Sequence, residues 1–249
     1  MKNFNLFILL VLLSTPVISL GQNPSVESQN LLFKLKTESD CSNELITLSE
    51  IHEDTLWSHL NNEDLRKAFW INIYNAFIIL KIRNFPKIYK NQRTQFFKKD
   101  WITIAEHKLS FDDIEHGILR RSKNKTSRGY LNKVFYKISP FERKFRVAHL
   151  DFRIHFALNC GAVSCPPIAF YSANKLDEQL DIAQNNFLTT DSKYVAETNT
   201  LYVSKIFFWF IHDFGGRRGL IELHRKLEIV PLNSKPKVTF KVYDWHTIY

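Results

Sequence analysis

The sequence predicts an α+β fold, a single, mostly helical globular domain with a small mixed or antiparallel sheet. Two observations carry the prediction: apolar residues recur at helical spacing over much of the 249-residue chain, and short segments of period-two alternation are scattered between them. A third bounds it. Only seven glycines, no low-complexity tract and a 14% aromatic content describe a chain with bulk for a core, not a disordered or solenoid one.

The chain begins with a positive charge in Met1-Lys2-Asn3, followed by the unbroken apolar run Leu6 to Leu13. That run is too short to span a bilayer. Ser14, Thr15 and Pro16 break it, and Ser19-Leu20-Gly21 places small residues where a signal peptidase reads. Residues 1–21 are therefore expected to be a cleaved secretory signal, with an N-terminal anchor as the alternative. Gln22 stands where a lipoprotein would carry cysteine. The mature chain is expected to be exported, periplasmic or secreted, without a transmembrane anchor.

Residues 22–62 read as a helical lead of two peripheral helices, with Leu31, Leu32 and Leu35 on one and Leu45, Leu48, Ile51 and Leu56 on the next. A domain then spans 63–249. It opens with the strongest helix signal in the chain, "EDLRKAFWINIYNAFIILKIR", capped by Asn61, Asn62 and acidic residues and stopped by Pro86. On a helical wheel Phe69, Ile73, Phe77 and Leu80 form one apolar stripe. Ala68, Asn72, Asn75, Ala76 and Ile79 form a second, amide-bearing face. An asparagine buried there without partners would cost about 1–3 kcal/mol, so Asn72 and Asn75 are expected to bond a closely packed loop or strand.

"WITIAEHKLS" from Trp101 reads as a hairpin, and a helix carrying Glu115 and His116 is expected from Phe111. Alternation of Ile154, Phe156 and Leu158 against Arg153, His155 and Ala157 predicts a strand over 151–158, turning at Asn159-Cys160-Gly161. A helix capped by Asn174 follows. "TLYVSKIF" from Thr200 predicts a strand running into a helix that ends near Asp213 to Gly216, and "KVTFKVYDW" a closing strand.

Charge is uneven. Lys81 to Lys99 holds seven basic residues and no acidic one, and Arg120 to Arg146 ten against the single Glu142, within a balance of +9. Such a middle third suits either a solvated surface or an anionic partner such as an envelope component. Export makes nucleic acid an unexpected partner. No nucleotide loop, dinucleotide turn or His-Glu-x-x-His helix occurs, and neither a cofactor nor a metal is expected.

Four stretches in order, "AFWINIYNAF" from Ala68, "LSFDDIEHGILR" from Leu109, "DFRIHFALNCGAVSCPP" from Asp151 and "YDW" from Tyr243, resemble the signatures of the domain of unknown function numbered 547. That family is found in bacteria, plants and nematodes. The resemblance implies no settled activity; it directs attention to Asn72, Asn75, Glu115, His116, His155 and Cys160. Plant relatives shift the cysteine by a residue and often replace the second, which favours Cys160 over Cys165. Some relatives are joined to glutaredoxin-like domains, an association with thiol chemistry.

Four readings compete for the cysteines: a nucleophile, a Cys160–Cys165 disulfide that leaves Cys41 odd, buried packing, and a zinc site with His155 that lacks a clear fourth ligand. A nucleophilic Cys160 needs a base, His116 or His155, and an orienting group. Glu115 cannot readily orient its own neighbour, which leaves Asn72, Asn75 or Asp213. The expected function is a thiol-dependent acyl transferase or amide hydrolase of the envelope. The alternative is a non-catalytic module binding anionic surfaces or polymers through its basic face.

Overall fold

Three helices open the described part of the chain, residues 23–247 and 249 of the computed structural model. The expected signal segment, 1–21, lies outside the described residues. The helices are α1 (Pro24–Lys36), α2 (Ser42–Glu50) and α3 (Glu53–His59), where the spacing predicts two peripheral ones. A break at Ile51-His52 divides the second, His52 capping α3 through Asp54 N–H. Leu31, Leu32, Leu48 and Leu56 are all but fully buried. These helices belong to the core.

Helix α4 (Glu63–Asn84) starts where Asn62 accepts the Leu65 N–H at 2.8 Å, and ends ahead of Pro86 as predicted. Every residue from Ala68 to Ile79 is buried. A helix covered on all faces is a central helix. The chain continues through α5 (Pro86–Asn91) and α6 (Arg93–Lys98) into the predicted hairpin, β1 (Ile102–Ile104) and β2 (His107–Leu109). Its two turn residues, Ala105 and Glu106, both have positive φ, as a tight two-residue hairpin requires.

At Phe111 the predicted helix begins, with Ser110 and Asp113 capping one another reciprocally: Ser110 Oγ accepts the Asp113 N–H and Asp113 Oδ2 accepts the Ser110 N–H. It then widens into a π-helix, Asp113–Leu119, in which Arg120 N–H bonds Glu115 O five residues back. Helix α7 (Pro140–Phe145) follows.

The strand expected over 151–158 does not form; Phe152–Phe156 is a 3-10 helix. Asp151 starts it by accepting the Arg153 N–H, and Ile154 O takes the N–H groups of both Ala157 and Leu158. Ile154 to Asn159 are all buried. The apolar alternation therefore has no solvent face to match, and local hydrogen bonds replace a ladder.

Helix α8 (Leu176–Asp191) begins after a 3-10 turn over Ala173–Lys175 that contains Asn174, so Asn174 is not its cap. Strands β3 (Lys193–Val195), β4 (Thr200–Val203) and β5 (Lys237–Phe240) form a mixed sheet, β3 antiparallel and β5 parallel to β4. The helix after β4 is shorter than predicted, α9 (Ile206–Trp209). The chain then turns through Asp213 and, by way of Gly215 and Gly216 at φ +76° and +73°, enters α10 (Gly216–Lys226).

Two apolar clusters result, one around α4 and one between α8, α10 and the mixed sheet. The segment from Ile154 to Cys165 runs along their seam: Ile154 and Leu158 belong to the first, Phe156 and Ala162 to the second, and Cys160 packs on both. No helix among the described residues is long and apolar enough to cross a membrane.

Candidate functional site

A cleft of about 620 Å³ opens at that seam. The helix after Phe111 contributes Asp112, Glu115 and His116 to its wall, the 3-10 segment His155, and the following loop Cys160 and Cys165; Phe208 and Trp209 from α9 and Tyr243 and Trp245 from the C-terminal segment close it. Four sequence-predicted residues, Glu115, His116, His155 and Cys160, thus meet in one place. Asp213 lies just behind them. Asn72 and Asn75 do not line the cleft.

Behind the wall runs a buried polar relay. Asp213 Oδ2 accepts from Arg120 Nε at 2.7 Å and from His155 Nε2 at 2.9 Å, and Arg120 Nη1 donates to His116 Nδ1 at 3.0 Å. The Arg120 and Asp213 side chains are wholly buried. Burial pushes the Asp213 carboxyl up, but the hydrogen bonds and charges of His155 and Arg120 prevail and hold it at about 2. For His155 burial outweighs the attraction of Asp213 and lowers its pKa, so the ring is neutral at pH 7 and Arg120 is the counter-charge.

These contacts decide both tautomers. A guanidinium only donates, so His116 Nδ1 must be a lone pair and its proton sits on Nε2. Burial, then the Arg120 charge, push the His116 pKa well below the ordinary value. With one nitrogen occupied and the other protonated, His116 is a hydrogen-bond donor, not a base. His155 is the reverse: Nε2–H faces the Asp213 carboxylate, which leaves Nδ1 as the basic nitrogen. Phe210 stacks on this ring at 4.0 Å and fixes its plane.

The sulfurs of Cys160 and Cys165 are joined in a disulfide, and Cys41 is a separate buried thiol. The Tyr243 hydroxyl sits 3.2 Å from Cys160 Sγ and 3.1 Å from Cys165 Sγ. Cys160 N–H points at Cys165 Sγ at 3.0 Å. The loop is pinned from below: Asn75 donates to Ala157 O and accepts the Asn159 N–H, while the Asn159 side chain takes the Gly161 N–H and donates to Pro166 O. Gly161 has φ +86°, and a Cβ there would lie 2.0 Å from Ile82 Cδ1. Only glycine fits that turn against α4. Asn72 clamps the Tyr171 backbone in the same two-point manner, as the sequence led us to expect of both amides.

Glu115 lies on the cleft with its carboxyl raised by burial, its Oε2 accepting from the Tyr74 hydroxyl at 3.2 Å. Its other oxygen is 3.7 Å from His116 Nδ1, too far to orient that ring. Asp112 is also raised by burial, although Lys125 pairs with it at 2.6 Å. Among the described residues no three His, Cys, Asp or Glu side chains cluster to hold a metal ion.

Sequence reasoning gave no role to Arg120, Tyr74 or Tyr243, each seen only inside a signature stretch, and took Asn159 only as a turn residue. Arg120 lies four residues after His116 on one helix face, a spacing at which side chains meet. That was its available signal. Tyr243 reaches the sulfurs because Val163 and Ser164 N–H bond the carbonyls of His246 and Asp244, which no local pattern announces.

The family model described as "Protein of unknown function, DUF547" matches residues 57–188, more than half of the chain. No curated protein matches the chain. No solved structure matches it either.

Proposed function

The chain belongs to the DUF547 family, whose function is unknown, and on the chemistry of its cleft we propose that it is a thiol-dependent acyl transferase or amide hydrolase, acting in the reduced state and exported. The observation that carries the reading is the buried Asp213–His155 pair, 2.9 Å apart, opening onto the same cleft as Cys160. It has the form of a base held by an orienting carboxylate on the wall of a cleft that a cysteine also lines.

The step begins once an external thiol reductant has opened the disulfide. Cys160 Sγ gives its proton to His155 Nδ1 and attacks the substrate carbonyl carbon. The oxyanion accepts from donors carried by two cleft-lining residues, the Tyr243 hydroxyl and His116 Nε2–H. Burial raises the Tyr243 pKa, so that hydroxyl keeps its proton. As the carbonyl re-forms, the bond to the leaving amine or thiol breaks and His155 returns the proton to it. Water or an acceptor nucleophile then releases the acyl group from Cys160.

The test uses the chain with Cys165→Ser, in which Cys160 cannot be locked, incubated with small thioesters and activated esters and read by intact mass. Acylation of Cys160 that turns over, and that is lost in His155→Ala, supports the reading. A reduced, accessible Cys160 that no acyl donor modifies overturns it.

The disulfide on the cleft wall favours a second reading, a dithiol oxidoreductase. Cys165 Sγ has two donors, Cys160 N–H and Tyr243, and is the better-stabilised leaving thiolate; an incoming thiolate would bond to Cys160 while the electron pair departs on Cys165. Loss of exchange with a dithiol in Cys165→Ser, without acylation, would select it.

A further inference from the structure

The lobe between the π-helix and α7 leaves large apolar side chains in water. Tyr130, Leu131, Val134, Phe135 and Tyr136 are 59, 63, 54, 70 and 79% exposed. Five such residues in seven positions concentrate exposed apolar surface of the kind that marks an interaction surface. The lobe is built firmly: Asn124 N–H bonds Leu131 O, Lys133 N–H bonds Ser122 O, and Ser127 Oγ both donates to Leu131 O and accepts its N–H.

Cations surround the patch. Arg121, Lys123, Arg128, Lys137 and Arg143 have no carboxylate partner among the described residues. Arg143 lies 4.3 Å over the Phe135 ring and Lys137 5.9 Å from that of Tyr136. The lone acid of the stretch, Glu142, is buried and neutralised by Lys133 at 2.8 Å. An aromatic tip flanked by unpaired cations fits the headgroup boundary of an anionic bilayer, where rings enter the acyl edge and the charges stay at the phosphates. Phe135 and Tyr136 are the most exposed of the five, so their rings are free to enter a soft surface rather than line a groove.

We propose that residues 121–143 dock the protein on anionic lipid surfaces. Arg128 and Lys125 of the same lobe also line the cleft, so docking would bring the cleft mouth to the membrane. The inference does not depend on the thiol chemistry.

The test is co-sedimentation of the full chain with vesicles of phosphatidylcholine containing or lacking phosphatidylglycerol, every variant keeping residues 1–21 so that their contribution cancels. Binding should require the anionic lipid and weaken with salt. It should fall about fivefold for each of Arg121→Gln and Lys137→Gln, and about tenfold for Phe135→Ala. Vesicles should slow hydrogen exchange at residues 130–137. Unchanged binding in all three variants, or no protection at 130–137, overturns the proposal. Equal capture by a soluble polyanion, insensitive to Phe135→Ala, would also overturn it and assign the cations to a polymer.

Discussion

Replacing Asp213 by asparagine tests the buried relay on which the site is built. The change removes the counter-charge of Arg120, whose side chain is wholly buried, and leaves a guanidinium without an anion. Breaking a buried pair in this way costs about 3–5 kcal/mol. At roughly 2–4 °C per kcal/mol for a chain of this size, the melting temperature should fall by about 6–20 °C. The pH dependence carries a sign. The native carboxyl is held at about 2, against about 3.9 in an unfolded chain, so its contribution is complete above pH ~4 and disappears as pH falls through about 2. That shift is worth about 2–3 kcal/mol. Urea unfolding followed by tryptophan fluorescence should therefore show a stability gap between parent and Asp213→Asn that narrows by that amount from pH 5 to pH 2. Arg120→Met with Asp213→Asn should lose less than Asp213→Asn alone, because no orphaned charge remains. A single variant within about 1 kcal/mol of the parent at pH 6, or a gap independent of pH, would refute the reasoning.

Asn72→Ala and Asn75→Ala each remove two hydrogen bonds to buried backbone, and should each lower stability by about 1–3 kcal/mol in urea titrations without changing the slope. His116, His155 and His224 all have pKa values lowered by burial. Their contribution is intact above the unfolded value near 6.5 and is lost as pH falls below it, by up to about 1.4 kcal/mol per pH unit for each ring; His116→Gln should flatten that slope by one histidine in unfolding curves between pH 7 and 5. Reducing the disulfide frees a loop of sequence separation five and should cost about 2 kcal/mol, seen as a lower urea midpoint that Cys165→Ser reproduces without reductant.

The sequence made α4, the hairpin, the Phe111 helix start and the buried asparagines legible, since caps, Pro86 and helical spacing act within a few residues. It misread 151–158 because period-two alternation identifies a strand only when one face meets solvent, and here both are covered by the two clusters. The candidate histidines, Glu115 and Cys160 were visible as reactive residue types in recognisable segments. Their roles were not. His116 ceases to be a base only because Arg120 occupies its Nδ1, and His155 gains an orienting carboxylate only because the turn after α9 returns Asp213 to it, 58 residues later. Contacts of that separation leave no period in the chain. The same holds for Tyr243, set on the sulfurs from 83 and 78 residues away.

The most direct test of the thiol site is the pH dependence of alkylation of Cys160 by iodoacetamide in the Cys165→Ser chain, with modified peptides mapped by mass and His155→Ala run beside it. An apparent pKa below the free-thiol value of ~8.5, and a rate at pH 7 that falls at least about tenfold in His155→Ala, is the predicted result. A Cys160 that titrates at or above ~8.5 and reacts at the same rate in both chains would contradict it.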